Sequence, residues 1–507
     1  MASARIWQEP QNLPKRTEAS KQMKSSSSAR LLLLGFMLIG LCLRVGTALK
    51  LPNVAHTDQI LELQEPAHRL AYGFGVVAWE WRRGARSWVF PAFLAGVMRS
   101  TDWIATGSTG YQAGMAIVLS LISLTTIWFG FAWGKRAGGI EAAIIAAGAC
   151  AIWYELVYFA PKTLNEVLAT HVLLPGLYLG VYGDRFKENH RMLLAGLFCG
   201  LAVALRIQLA PAVAVAAFGF CYSNWRKRVI PLAAGLFLPV FCFGMVDAVT
   251  WGHPFQSFLE YFRVHAHEVS VPKLSSTESA GHLERVAPWI GYPRVLLAHL
   301  GPVALLVILG IRRSPLLGWM ALIHLLFHSL FRFGDLRYLY PIMPLEITLA
   351  ALGVVELIPV LNSWRKSALS SKTIAAGSLA FFALCSCLLA PEIDWYRWSG
   401  NLRAFDELSH DSTLCGVGIY RIPWFTLGYD AHLHQNVPIV LLDDAEDMKA
   451  EWKSFNAVVI GGTLADPTHT FTSAGCRNGV CLYRREGSCE APRADHEINA
   501  VLQQHGW

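Results

Sequence analysis

Long apolar runs, many of them bounded by short basic clusters, recur from residue 31 almost to residue 391 of the 507-residue chain. A helix needs about 20 apolar residues to cross the hydrocarbon layer. The runs therefore predict spans at 31–49, 111–133, 139–159, 163–182, 192–208, 209–223, 229–250, 292–311, 315–331, 338–360 and 373–391, about eleven transmembrane helices. With a cytoplasmic N-terminus, alternation puts Lys135-Arg136, the segment Asp184 to Arg191, Arg226-Lys227-Arg228, Arg312-Arg313 and Arg365-Lys366 inside. That is the Lys/Arg bias that orients membrane proteins. The stretch 192–222 must enter and return, yet it is short for two crossings and carries Arg206 and Pro211. A pair of short or broken helices satisfies both facts, provided its irregular backbone is buried or lines a cavity.

The flanks of this membrane body read differently. Residues 1–30 are polar and rich in Ser, Lys and Arg, and are expected to be a disordered cytoplasmic segment. The run from Leu31 has no small-residue cleavage site before Lys50, which predicts a retained signal-anchor helix. Residues 31–391 form the membrane domain and 392–507 a tail. In the tail, strand-like runs at 413–419, 438–442 and 457–460 alternate with polar, partly helical stretches, predicting a small α/β domain. Cys476 and Cys481 bracket an Arg-Asn-Gly turn compatible with a hairpin. By the same alternation, the tail and the segment 50–110 both lie outside the cytoplasm.

Composition agrees with a polytopic membrane protein. Hydrophobic residues make up 54% of the chain and charged residues 16%, against roughly a quarter charged in soluble proteins. The net charge of +7 resides in short loops and forms no nucleic-acid-binding face. Seven of the eleven cysteines sit in apolar segments as small hydrophobes. The other four (Cys415, Cys476, Cys481 and Cys489) suit two disulfides in an oxidising compartment, with three pairings open. No internal repeat and no Walker, Rossmann or zinc motif is present, and neither cofactor nor metal is expected. His324 and His328 have the i, i+4 spacing of a metal pair but lack a third ligand, which favours packing or hydrogen bonding.

Chemistry concentrates in the first outside loop, which breaks the positive-inside trend with Arg69, Arg82, Arg83, Arg86 and Arg99. It reads His56-Thr57-Asp58-Gln59, Gln64-Glu65-Pro66-Ala67-His68, Tyr72-Gly73-Phe74-Gly75, Trp79-Glu80-Trp81 and Arg86-Ser87-Trp88-Val89-Phe90-Pro91. An acid just past the end of the first helix sits where a lipid-linked sugar phosphate presents its reactive carbon. Sugar transfer to a hydroxyl needs a carboxylate to take the proton and cations or donors for the departing phosphate. Arginine suits the second task because its planar fork matches phosphate.

This loop resembles that of the Alg9-like mannosyltransferase family, in particular its PIG-B-type branch, which adds the third mannose of the GPI anchor. The resemblance rests on His56, Asp58, Glu65, Pro66, His68, Gly73, Gly75, Trp79, Glu80, Arg86, Ser87 and Pro91, in order over about forty residues. Pro161-Lys162-Thr163-Leu164-Asn165-Glu166, Ala204-Leu205-Arg206 and Asp335-Leu336-Arg337-Tyr338-Leu339-Tyr340-Pro341 extend it over most of the membrane body. Four positions depart from the family pattern: Thr57 for Pro, Gln59 for the second acid, and Phe333 and Gly334 for His and Lys.

The resemblance implies a GT-C fold and an inverting transfer of mannose from a polyprenyl (dolichyl-like) phosphate to a glycolipid or glycan acceptor. It places the active site on the periplasmic or luminal face of a bacterial inner membrane or endoplasmic reticulum membrane. Asp58 is the expected catalytic base, with helix capping as its structural alternative. Expected at the substrate are His56, Glu65, His68, Trp79, Glu80, Arg86, Arg206, Asp335 and Arg337. An i, i+3 surface pair (Glu65, His68), an interfacial anchor (Trp79) and structural ion pairs (Arg206; Asp335 with Arg337) are the plainer alternatives. A lipid-linked-glycan flippase, or a transferase of the same architecture for another sugar, are the rival functions. A transporter, however, commonly shows internal repeats.

Overall fold

The structure, a computed structural model, describes residues 19–270, 288–330, 335–365, 370–464 and 470–506, with the side chains of 19–27, 265–270, 288–290 and 364–365 excepted. The departures at Phe333 and Gly334, and the expected disorder up to residue 18, lie outside the described residues. From Ala19 the backbone is already helical and continues unbroken to Lys50.

Among the described residues, five helices are long and apolar enough to cross a membrane: Ser28–Lys50, Ser108–Ile152, Trp225–Trp251, Leu336–Ser363 and Ser371–Glu392. Other predicted spans are realised as short or bent helices. The stretch Ser108–Ile152 contains two predicted spans that fold back at Gly139, where φ of 84° and ψ of −168° leave the helical region. The two arms touch closely, since a Cβ on Gly134 would lie 2.8 Å from the Ala142 carbonyl oxygen. Small residues permit that approach. The predicted span 292–311 is bent by 105° between Gly291–Leu300 and Val303–Gly310. The stretch 192–222 is broken as expected: helix Glu188–Leu205 ends at Arg206, whose backbone is extended, and Ala210–Cys221 resumes beyond a short 3-10 turn.

The C-terminal region is a five-stranded sheet in the order β2-β1-β3-β5-β4. Strands β1 (Val417–Tyr420), β2 (Ile439–Leu442) and β3 (Ala457–Gly461) match the three predicted runs and pair in parallel. Strands β4 (Thr472–Arg477) and β5 (Val480–Arg484) form an antiparallel hairpin on that sheet. Asn478 and Gly479 both have positive φ, 49° and 78°, as a two-residue turn of this hand requires. The disulfides are Cys415–Cys489 and Cys476–Cys481, which resolves the three possible pairings.

The segment 50–110 is packed between this sheet and the membrane body. Val54, Ile60, Leu61, Val76, Ala78 and Trp81 from the loop share one core with Leu402, Phe405, Val417, Ile419 and Val459 from the C-terminal region. A loop carrying so many charges is thereby fixed by apolar burial, which lets it hold reactive groups in place.

Candidate active site

Asp58 stands directly before a helix whose first part, Gln59–Gln64, is π-wound and whose second, Glu65–Tyr72, is α-helical. Such π segments are frequent at functional sites. Lys162, just before helix Asn165–Tyr182, steadies the chain leading to Asp58. Its Nζ donates to the Asn53 carbonyl at 2.6 Å and to Asn53 Oδ1 at 2.7 Å. Burial pulls the Lys162 ammonium down to about 7. Thr163 Oγ1 donates to the Gln59 carbonyl at 3.0 Å, pinning the first turn beyond Asp58.

Around Asp58 the structure gathers four of the expected substrate residues. Arg337 Nη1 lies 2.5 Å from Asp58 Oδ2, and His56 Nδ1 lies 2.9 Å from Asp58 Oδ1. Asp335 joins them, 3.6 Å from Arg337 Nε and 3.7 Å from His56 Nε2. Arg206 enters through Glu166, whose Oε1 lies 2.8 Å from Arg206 Nη2 and 3.9 Å from Arg337 Nη1. Tyr338 presents its ring to both guanidiniums, at 5.3 Å from Arg206 and 4.7 Å from Arg337. Burial alone would raise the Asp58 pKa, but Arg337 and then His56 outweigh it and hold the carboxyl well below its ordinary range. Asp58 is therefore ionised at neutral pH and able to accept a proton.

A second cluster adjoins the first. Arg86 is paired with Glu62 and stacks over Tyr261 at 5.4 Å. Burial, opposed by Arg86, pushes Glu62 up to about 7, and burial together with Glu62 pushes Glu80 up to about 8. Glu62, Arg86, Asn165, Arg206 and Tyr261 line one cavity that opens between the loop and the membrane helices.

Three expected residues lie elsewhere. Glu65 is fully buried and faces backbone: Oε1 accepts from Ala431 N at 2.6 Å and Oε2 from Val76 N at 2.7 Å. His68 Nε2 meets His434 Nδ1 of the C-terminal region at 2.9 Å. Trp79 is covered by the Arg83 guanidinium at 5.6 Å. His324 and His328 bond to the carbonyls of Tyr338 and His324, at 2.8 Å and 3.0 Å.

Glu62 and Glu166 were absent from the expected set. Their signals were present: Glu62 lies four residues beyond Asp58, and Glu166 ends the Pro161–Glu166 motif. A buried guanidinium pair needs a carboxylate between its members, and Glu166 is that carboxylate. The arrangement offers a fixed anion, two converging guanidiniums and a polar cavity beside them. Acid–base transfer and phosphate binding both follow from such a set.

Residues 36–393 match the model of the Alg9-like mannosyltransferase family. The GPI mannosyltransferase 3 of Yarrowia lipolytica is 24% identical over 408 residues, covering 79% of this chain and 75% of the relative. The mouse GPI alpha-1,2-mannosyltransferase 3 is 23% identical over 344 residues, covering 64% of this chain and 59% of the relative. In fold, the chain superposes on ArnT from Cupriavidus metallidurans bound to undecaprenyl phosphate with a TM-score of 0.57 at 13% identity, over 93% of this chain and 99% of that one. The Archaeoglobus fulgidus oligosaccharyltransferase in its apo form gives 0.52 at 13% identity, over 85% and 69%. The GT-C fold and the integral membrane character expected from the sequence are thus found, together with mannosyl transfer as the activity. The chain belongs to the Alg9-like mannosyltransferase family.

Proposed function

We propose that the protein moves mannose from a polyprenyl-phosphate carrier to a hydroxyl of a GPI-type glycolipid, with inversion, at a site on the luminal or periplasmic face. The observation that carries the reading is the Asp58–Arg337 pair, which joins the first outside loop to the Asp335–Arg337 segment. The acceptor oxygen attacks the anomeric carbon while its proton passes to Asp58. The bond from that carbon to the carrier phosphate breaks, and the electron pair leaves on the phosphate oxygen. Arg337 and Arg206 take up the growing negative charge there. A phosphate entering the site competes with Asp58 and Glu166 for these guanidiniums. Drawing Arg337 away relieves the pull that depresses the Asp58 pKa, so donor binding makes Asp58 the stronger base.

Several facts support the finer points. The relatives' names specify GPI and, in mouse, an alpha-1,2 linkage, and the ArnT structure holds a polyprenyl phosphate. The two disulfides in the region packed on the Asp58 loop favour an oxidising compartment for that face. Within this reading His56 and Asp335 orient Asp58 and Arg337, Arg86 lines the cavity with Glu80 close to it, and Glu65, His68 and Trp79 hold the loop.

The test is transfer of radiolabelled mannose from polyprenyl-phosphate mannose to a total lipid extract, by membranes holding equal amounts of native protein or Asp58→Asn. The substitution keeps the side-chain shape and removes the base, so transfer is expected to fall by roughly 10²- to 10⁴-fold. Equal rates in the two membranes would remove Asp58 from the mechanism.

A further inference from the structure

A second cavity lies between the first outside loop and the C-terminal region, away from the Asp58 cluster. Its volume is about 570 Å³, within the range of small-molecule sites. Arg69, Gly73, Phe74 and Gly75 line it from the loop, and Asp430, Asn436, Pro438 and Glu497 from the other side. Asp430 is only 8% exposed, and among the described residues no donor reaches its carboxylate, which instead borders the cavity. Burial, with Glu497 beside it, pushes Asp430 up to about 7. A buried acid without partners is costly to keep, and a donor arriving from the cavity would relieve that cost. Among the described residues no group of three or more metal-ligating side chains occurs, so two carboxylates would leave a divalent cation under-coordinated. Sugar hydroxyls suit the lining better. They donate to Asp430 and Glu497 and accept from Arg69 and Asn436, while Phe74 and Pro438 offer apolar surface to a ring face.

Along the loop helix, Arg69 at the cavity lies 11 residues beyond Asp58, or about 16 Å. We infer that the cavity is a saccharide subsite, which engages sugar residues of the glycolipid acceptor remote from the hydroxyl that receives mannose. The inference rests on the transferase reading and deepens it by assigning a place to the acceptor's glycan. Binding at such a distance raises the affinity for long acceptors without touching the reacting atoms.

The experiment measures binding of soluble α-linked mannotriose to the detergent-purified full chain by saturation-transfer NMR, with no donor present. Native protein and Asp58→Asn are expected to bind it equally. Asp430→Asn removes the charge and weakens binding about tenfold, the scale of one charge-assisted hydrogen bond. Asn436→Trp, at an exposed position on the rim, fills the cavity and abolishes binding, and serves as the test should Asp430→Asn fail to fold. In the transfer assay both variants raise KM for the glycolipid. Mannotriose binding that ignores both cavity variants, or no binding to native protein, overturns the subsite. Cavity-dependent binding in a protein that transfers no mannose keeps the subsite and sinks the transferase reading, so the two failures are told apart.

Discussion

Two ends of one loop helix meet different surroundings, although the family motif runs through both. At the N-terminal end Asp58 faces side chains: a guanidinium at 2.5 Å and an imidazole at 2.9 Å. Seven residues on, Glu65 faces backbone, accepting from Val76 and Ala431. A carboxylate held by movable side chains can exchange them for substrate. One held by two buried backbone N–H groups of separate segments can only pin those segments together. In the proposed mechanism the same residue type serves chemistry at one end and assembly at the other, and what decides is which partners can leave.

The sharpest way to break this contrast is to remove the partner that is meant to leave. Arg337→Ala takes away the guanidinium that pairs with Asp58 and that the proposed mechanism assigns to the departing phosphate. Losing one preorganised donor to developing charge lowers kcat by roughly 10²- to 10³-fold. Arg337 is buried, with 5% of its side chain exposed, so the substitution also costs about 3–5 kcal/mol of stability, and transfer is compared per folded molecule. Single-turnover transfer and thermal unfolding of the same preparation measure both quantities. A collapse in stability with normal transfer by the surviving protein would make the pair structural and reverse the comparison.

Glu65→Ala is the converse. It leaves the Val76 and Ala431 N–H groups buried without acceptors, at 1–3 kcal/mol apiece, so the protein loses roughly 2–6 kcal/mol of stability. Limited proteolysis should then release the C-terminal region sooner. Lost transfer at an unchanged unfolding temperature would instead put Glu65 at the substrate.

These two ends also show what could be read from the chain. Arg206 drew attention because a charge within an apolar span is costly and usually functional or paired, Asp58 because it follows the first span inside the family motif, and Arg337 through the resemblance of its segment. The strands β1 to β3 were legible because apolar runs of strand length are bounded by turns. The separation of Asp58 from Glu65 was not. At α-helical spacing, positions 58, 62 and 65 fall on one face, which groups all three acids together. The π winding of Gln59–Gln64, in which Glu65 N bonds to the Ile60 carbonyl, inserts an additional residue and turns Glu65 away from Asp58. The fold-back of Ser108–Ile152 at Gly139 and the bend between Leu300 and Val303 likewise depend on packing between helices. Hydropathy registers length and cannot see such contacts.

The smallest expected effect concerns the acids next to Asp58. In the folded protein burial and then Glu62 push Glu80 up to about 8, against an ordinary 4.5. Between those values the folded chain holds a proton that the unfolded chain has released. Stability must therefore fall as pH rises through the window and level off above it. Glu80→Gln cannot ionise and removes this part of the slope. Unfolding temperatures of native and Glu80→Gln protein should run close together near the acid end of the window, separate progressively as the pH rises to 8, and stay apart by a constant amount above it, with the variant the more stable there. Parallel curves would mean that Glu80 ionises freely in the folded state. The Asp58 end would then carry one more negative charge than its neighbours allow, and Arg86 would have to be shared more evenly between Glu62 and Glu80 than the Arg86–Glu62 pair implies.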